Sequence, residues 1–372
     1  FFKQKTAYEI RNCDWSSDVC SSDLAGLVAR QVKDLGVDDA LHAARRVTTQ
    51  AKRVRDAIDA ARRVARVPLG WAGRIRLVCT LVKAQAAWGL EVTGMAKQCA
   101  RRLRHAMVRA VSGGPVPRRA PEVVLALAAP RKFLDPTLGT LRHVVASWAK
   151  RVGADPGLAE WVAPAWATAA SAQRPGAQAK GPVALLVSTV TALGWQPRTP
   201  LEWDAPWGTV RVTNREALAF HLDAALGLMR WRGLAARRRD FSGLEEGADE
   251  DATFRGPAAA LKAGKAAEFG RYMCILSGGT WARDRAAGAG FEEDPYCPHC
   301  PGVIETPCHR WWQCPRWDVA RGFEGTRVAK EGEEMGFQPP CLWECGVLPA
   351  LGKEGQPPEP PEEDRKSTRL NS

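Results

Sequence analysis

Residues 297–314 read CPHCPGVIETPCHRWWQC and hold metal-ligand side chains at close spacing. The pattern is Cys297-x2-Cys300-x8-His309-x4-Cys314. Zn²⁺ takes four nitrogen or sulfur ligands at tetrahedral corners, and a Cys-x2-Cys turn supplies two thiolates from one loop. The spacing therefore predicts a small zinc module that folds around its ion and needs little apolar surface of its own.

Two ligand sets are compatible with this stretch, because Cys308 adjoins His309 and only four side chains can bind. The set with Cys308 is all cysteine, with spacings x2, x7 and x5. The set with His309 ends in His-x4-Cys, which is typical of zinc knuckles, and we favour it. We expect His299, between the first two cysteines, to point outward. Four protein ligands leave no position for water, which indicates a structural ion. Buried free cysteines are the alternative interpretation.

Both ends of the chain resemble translated sequencing-adaptor sequence and are set aside from the fold. These ends are residues 1–24 (FFKQKTAYEIRNCDWSSDVCSSDL) and residues 364–372 (DRKSTRLNS). We expect the remaining segment, residues 25–363, to be a fragment of a longer protein whose natural start and stop lie outside it.

The charge of the remaining segment is uneven. The whole chain has a formal charge of +12, and residues 25–151 hold 25 Lys and Arg against 8 Asp and Glu. A basic half predicts a polyanionic partner, RNA or DNA, because neutralising phosphates releases counterions. A basic surface that is merely solvated is the alternative.

Composition also indicates the cellular compartment of the protein. No stretch approaches the roughly 20 apolar residues that span a bilayer, so no membrane partner is expected. Of the 11 cysteines, Cys13 and Cys20 belong to the set-aside ends, and the other nine lie mainly toward the C-terminus. Their metal-like spacing favours a reducing compartment over a disulfide framework, and hence an intracellular protein, nuclear or cytoplasmic.

Three basic helices are predicted in the first half. Apolar residues recur at spacings of three and four over 47–65, and similar patterns cover 74–88 and 96–111. Three adjacent basic helices would form a surface that grips a nucleic-acid duplex, and an ordinary helical bundle with a cationic exterior is the alternative. The candidate contacts, to phosphate rather than to bases, are Arg53, Arg55, Arg62, Arg63, Arg101, Arg102 and Arg104.

Downstream signals predict further helices and one hairpin. Pro and Gly in residues 173–182 mark a linker, and residues 203–212 read as a hairpin. Thr213 and Glu216 form a capping box that begins a helix. One more helix is predicted over 258–276, ahead of the zinc module.

The predicted fold class is mainly α: a basic helical bundle, a second helical region with a short hairpin, and a small CCHC zinc module. Beyond that module, Cys341-x3-Cys345 is interpreted as a pair of buried thiols, with a second metal site as the alternative. The predicted divisions are a basic helical region (25–152), a helix and linker (153–182), a helical connector (183–290), the zinc module (291–321) and an irregular tail (322–363).

Several short motifs follow one another in the order found in one family of polymerases. They are Leu35-Gly36-Val37-Asp38, Trp88-Gly89-Leu90-Glu91, Leu134-Asp135-Pro136, and Leu276-Ser277-Gly278-Gly279-Thr280-Trp281 ahead of the four ligands. In this order they resemble the region downstream of the palm in reverse transcriptases of non-LTR retrotransposons. The resemblance extends over nearly all of residues 25–349, and the zinc segment is its specific motif.

The resemblance implies a thumb-like helical region and a connector that hold an RNA template with its DNA primer, and a zinc knuckle that contacts RNA or target DNA. It places Mg²⁺ in a palm whose Asp-Asp motif this chain lacks. No catalytic residue is therefore assigned, and the chain is not expected to act alone as an RNA-directed DNA polymerase. Trp311 and Trp312 are candidate stacking contacts. A zinc-dependent protein-interaction module with a solvated basic face is the alternative function.

Overall fold

The computed structural model describes residues 32–34, 37–39, 48–128, 133–172 and 181–350, and they are mainly helical, which confirms the predicted fold class. The chain divides into two compact units, one up to Thr49 and one from Gln50 onward. In the first unit, β1 (Val32–Asp34) pairs antiparallel with β2 (Val37–Asp39). The adaptor-like ends and part of the resembling Leu35-Gly36-Val37-Asp38 stretch, residues 35 and 36, lie outside the described residues.

The first core of the larger unit is built from the basic helices. Val54 and Ala61 point inward from the first helix as predicted, Ala57 is buried between them in place of the predicted Ile58, and Leu103 and Met107 meet them from the third helix. The predicted second helix contains a π-helical stretch, which apolar periodicity does not reveal. The elements are α1 (Thr48–Val64), α2 (Trp71–Leu77), the π-helical Val78–Lys83, α3 (Ala84–Ala87), α4 (Leu90–Thr93), α5 (Lys97–Ser112) and α6 (Pro121–Ala128).

The second core joins helices from both sides of the predicted linker, whose residues 173–180 lie outside the described ones. Val145, Val187 and Leu222 are buried together in it, so the predicted boundary at 153–182 does not separate two cores. Trp203 is fully buried there and stacks on Trp166. The elements are α7 (Pro136–Ala154), α8 (Leu158–Ser171), α9 (Gly181–Ala192), β3 (Glu202–Ala205), β4 (Gly208–Arg211) and α10 (Arg215–Ala235).

The hairpin lies where the sequence predicts it, and two local predictions need correction. Strands β3 and β4 pair antiparallel, with Trp203 opposite Val210. The N-cap of α10 is Asn214, whose side chain accepts from the backbone N–H of Ala217, so the predicted capping box is one residue early. The single helix predicted over 258–276 is two helices, α11 (Glu250–Lys262) and α12 (Ala266–Leu276). Gly264, at φ +70°, separates them in a left-handed conformation that favours glycine.

The third core includes part of the segment predicted as an irregular tail. Phe241 and Leu276 pack there with Cys341 and Cys345, which are fully buried, as the thiol interpretation predicts. Within the predicted irregular tail, residues 322–334 and 340–343 are helical, and residues 351–363 lie outside the described ones. The elements are the 3₁₀ turn Arg239–Phe241, α13 (Arg283–Gly288), α14 (Asp318–Glu334) and α15 (Pro340–Trp343). Across the described helices, none is both long and apolar enough to cross a membrane.

Candidate functional site: a cysteine-histidine cluster and a basic groove

Four ligand atoms converge in the predicted zinc module. One donor atom each from Cys297, Cys300, His309 and Cys314 lies within 4.8 Å of all the others. The Cys314 sulfur is 3.9 Å from that of Cys297 and 3.8 Å from that of Cys300. A tetrahedral ion with metal-sulfur bonds of about 2.3 Å holds its sulfurs about 3.8 Å apart. The four side chains are therefore positioned to hold one metal ion.

Local backbone geometry produces this convergence. The loop after Cys297 reverses through Gly302, at φ +76°, and the Cys297 N–H donates to the Val303 carbonyl at 2.8 Å. His309 begins a single π-helical turn that ends at Gln313. In that turn the Cys314 N–H donates to the His309 carbonyl at 2.8 Å. The x4 spacing thus brings both ligands to one side of the turn.

The burial of these side chains favours metal binding. His309 is 5 % exposed and its Nε2 has no hydrogen-bond partner among the described residues. Burial lowers the pKa of His309, which favours the neutral ring that a metal requires. Burial and the neighbouring thiols raise the pKa of Cys300 to about 11. A bound divalent cation would remove both costs, because it accepts the nitrogen lone pair and stabilises the thiolates.

Of the two ligand sets, the structure brings together the one with His309. The Cys308 thiol lies outside the cluster, and burial raises its pKa to about 11. The exposed His299 ring is likewise outside, edge-on to Trp317 with ring centroids 6.2 Å apart. Both observations agree with the preferred set.

The metal loop is fastened to the segment that precedes it. The buried carboxylate of Glu305 accepts from the Arg283 N–H at 3.2 Å and forms an ion pair with Arg310. Arg310 also donates to the Trp281 carbonyl at 2.9 Å. On the other side, the buried guanidinium of Arg321 donates to the Cys314 carbonyl at 2.8 Å. The sequence motifs did not single out Glu305, Arg310 or Arg321 for this role.

Of the two candidate stacking tryptophans, Trp312 has its ring packed within the protein. Trp312 donates its Nε1–H to the Trp343 carbonyl at 3.0 Å, and the two rings pack edge to face with centroids 4.8 Å apart. Trp311 is half-buried, and its carbonyl accepts from Arg321. Trp312 thus packs against α15.

A groove of about 870 Å³ runs between α1 and α5. Its floor is apolar and includes Ile58, Ala65 and Ala106. The basic residues that line it are Arg55 and Arg62 from α1, Arg66 from the turn after α1, and Arg102, His105 and Arg109 from α5. Arg66, His105 and Arg109 were not among the predicted contacts. Helical spacing could have found Arg109, since it lies seven residues, or about two turns, after Arg102 on the same face of α5.

The other predicted arginines have different positions. Arg53 is half-buried and donates to the Trp88 carbonyl at 3.1 Å. Arg63 and Arg101 are exposed but are not among the residues that line the groove. Arg104 turns inward, where its side chain is 18 % exposed and forms ion pairs with two buried carboxylates. Its guanidinium is thus held by protein anions, and Arg104 is not among the residues that line the groove.

The chain was compared with protein families, curated proteins and solved structures. No protein-family model, no curated protein and no solved structure matches this chain significantly.

Proposed function

We propose that the chain binds a nucleic-acid duplex through the basic groove, as the template-primer-holding region of a non-LTR retrotransposon reverse transcriptase. The observation that carries the proposal is the placement of five arginines along one groove, four from α1 and α5 and one from the turn after α1. Asp59 is the one carboxylate among its lining residues, and it pairs with Arg62 at 2.8 Å. The rest of the positive charge faces solvent, where it can meet phosphates.

The dimensions of the groove suit a duplex backbone. Arg55 lies on α1, and Arg66 lies 11 residues later in the turn that continues it, where the Arg66 N–H donates to the Arg63 carbonyl at 3.0 Å. A helical rise of 1.5 Å per residue puts the two residues about 16 Å apart. At a rise of 3.4 Å per phosphate, that length follows about five phosphates of one strand. Such contacts carry no sequence information, which suits a region that must hold any template with its primer. Nucleotidyl transfer itself would belong to a palm with Mg²⁺-binding carboxylates.

We further propose that the ion held by the cysteine-histidine cluster is Zn²⁺ and that its role is structural. Three thiolates and one imidazole are a soft donor set in tetrahedral spacing, which favours zinc. Four protein ligands leave no open position, so the ion would fold the module rather than activate a water. Cys297, Cys300, His309 and Cys314 would hold it, and Arg321 would place a positive charge beside a site of net negative charge.

Charge reversal tests the groove. The variant combines Arg55→Glu, Arg102→Glu and Arg109→Glu, three exposed residues of the groove. Binding of a labelled RNA/DNA hybrid would be followed by fluorescence anisotropy over a range of salt concentrations. The slope of log affinity against log salt should become shallower by about three, because each lost phosphate contact removes about 0.9.

A matched control reverses exposed charges elsewhere. Arg255→Glu, Arg271→Glu and Lys330→Glu change the net charge by the same amount on α11, α12 and α14. This control should lose much less affinity. Equal losses in the two variants, or an unchanged slope in the groove variant, would refute the proposed groove.

A second candidate function is protein binding by the metal module. It is favoured by the exposure of Val319 (96 %) and Phe323 (81 %) on α14, since large apolar side chains in water often mark interaction surfaces. The groove variant discriminates between the two functions. Loss of hybrid binding supports the groove, whereas a protein-binding module would be indifferent to those three arginines.

A further inference from the structure

A second cavity, of about 520 Å³, lies where the metal module meets the helical body. Arg118, Arg238 and Arg239 line it from the helical body, and Thr306 lines it from the metal loop. Thr306 also accepts from the His309 N–H at 3.0 Å, so one wall of the cavity is continuous with the metal cluster. The remaining lining residues are Asp240, Asp284, Arg285 and Glu344.

Four of the lining residues neutralise one another. Asp240 binds Arg238 at 2.5 Å and Arg285 at 3.3 Å. Arg285 also binds Glu344 at 2.7 Å. Two carboxylates and two guanidiniums are thereby paired inside the wall. Their charges cancel, and their donors are directed at each other rather than into the cavity.

Arg118 and Arg239 take no part in this ion-pair network. Both are exposed, and neither has a carboxylate partner within the part of the chain that the structure describes. The one lining acid outside the network is Asp284, whose carboxylate accepts from the Arg285 backbone N–H at 2.7 Å. The cavity therefore carries an excess of positive charge, and that excess lies on two long side chains at its edge.

The backbone of Arg118 is held in a conformation that needs support. Its φ is +62°, in the left-handed region that non-glycine residues rarely occupy. Arg238 supports it by donating to the Arg118 carbonyl at 2.5 Å. The Arg118 guanidinium lies 5.0 Å from the centroid of the Trp281 ring. Strain of this kind is typical of positions where a side chain is held ready for a ligand.

We propose that this cavity is a phosphate-binding site for the backbone of the same nucleic acid that the basic groove holds. The inference rests on the proposed function, because it extends that duplex past the end of α5. Gly114 lines the groove, and Arg118 lines the cavity four residues later. Four residues reach at most about 14 Å, which corresponds to about four phosphate steps along one strand. The same strand can thus meet both sites.

Duplexes of two lengths distinguish binding at the groove from binding at the cavity. The groove alone spans about five phosphates, so a hairpin RNA/DNA hybrid with a stem of about 6 base pairs should reach only the groove, and one of about 16 should reach both. The test variant is Arg118→Glu with Arg239→Glu, and its matched control is Arg255→Glu with Arg271→Glu. On the long stem the test variant should make the salt slope shallower by about two. On the short stem the test variant should bind like the wild-type chain. The control variant should bind like the wild-type chain on both stems.

A gentler variant guards against misfolding. Arg118→Gly with Arg239→Ala removes both guanidiniums, and glycine suits the left-handed backbone at 118. It should fold with an unchanged circular-dichroism spectrum and still lose about two from the long-stem slope. Equal losses on both stems, or no loss on the long stem in this folded variant, would overturn the inference.

Inorganic phosphate distinguishes a strand phosphate from a free one. Added phosphate at constant ionic strength should leave long-stem binding unchanged if the cavity prefers a tethered phosphodiester. If phosphate raises the melting temperature of the wild-type chain but not of the Arg118→Gly, Arg239→Ala variant, and long-stem binding is the same in both, the strand assignment is overturned. Failure of the proposed function would look different, because the groove variant would then bind the short stem as well as the wild-type chain does.

Discussion

Replacing Arg104 with methionine should destabilise the protein by about 3 kcal/mol, because it leaves two buried carboxylates without their shared cation. Arg104 contacts Glu122 at 3.0 Å and Asp135 at 2.6 Å, and those carboxylate side chains are 5 % and 4 % exposed. Removing one partner of such a buried network costs about 3–5 kcal/mol in general.

The lower end of that range is expected here for two structural reasons. Glu122 keeps a second partner, Arg237, at 2.7 Å. As the N-cap of α7, Asp135 still accepts hydrogen bonds from the backbone N–H groups of Thr137 and Leu138. Methionine matches much of the length of the arginine stem, so little packing is lost and the cost is mainly electrostatic.

Urea unfolding followed by tryptophan fluorescence measures this cost. With a slope of about 3 kcal/mol per molar, the midpoint should fall by about 1 M. Adding Asp135→Asn to the Arg104→Met variant should recover part of the loss, because asparagine caps a helix as well as aspartate does but carries no charge. A loss below about 1 kcal/mol would refute the argument.

The neighbouring Arg102 provides an internal comparison for binding. It lies on the same helix but lines the groove and is exposed. Arg102→Met should reduce the salt slope of hybrid binding by about one with little effect on stability. Arg104→Met should do the reverse. A binding defect in the Arg104 variant at temperatures where it is folded would contradict this division of roles.

His309→Ala should abolish the binding of one equivalent of zinc, measured by chelator competition, whereas Cys308→Ser should retain it; retention by the first variant would contradict the ligand set. Gly332→Ala should destabilise the protein by about 1–3 kcal/mol in thermal melts, since an added Cβ would lie 2.2 Å from the Trp343 ring. Burial raises the pKa of the Cys345 thiol, so the unfolded chain ionises first and the unfolding free energy should fall as pH rises above about 9. That fall should be less steep in Cys345→Ala.

Local patterns predicted the parts of the molecule that depend on near neighbours. The metal cluster spans 18 residues, and its spacing predicts three of the ligands and leaves the fourth to either Cys308 or His309. The inward face of α1 follows from apolar periodicity, and the β3–β4 hairpin follows from its turn residues. In each case the interacting groups lie within one element or one tight turn, so the sequence contains the geometry.

Long-range pairing was beyond the reach of the sequence patterns. Arg102 and Arg104 look alike in the sequence, and what separates them is Glu122 and Asp135, which lie 18 and 31 residues beyond Arg104. The burial of Cys341 likewise depends on Phe241, 100 residues earlier in the chain. Such partners are chosen by the packing of whole helices, and no local period records that choice.

The second core makes the two halves of the protein interdependent. Val145 precedes residues 173–180, whereas Val187 and Leu222 follow them, and all three are buried together. A cut between residues 172 and 181 should therefore leave one particle held together without a peptide link. Two polypeptides covering 48–172 and 181–350 should complement one another on mixing, because each contributes part of the second core. The contacts of the second core, rather than the peptide link through residues 173–180, should keep the two pieces together.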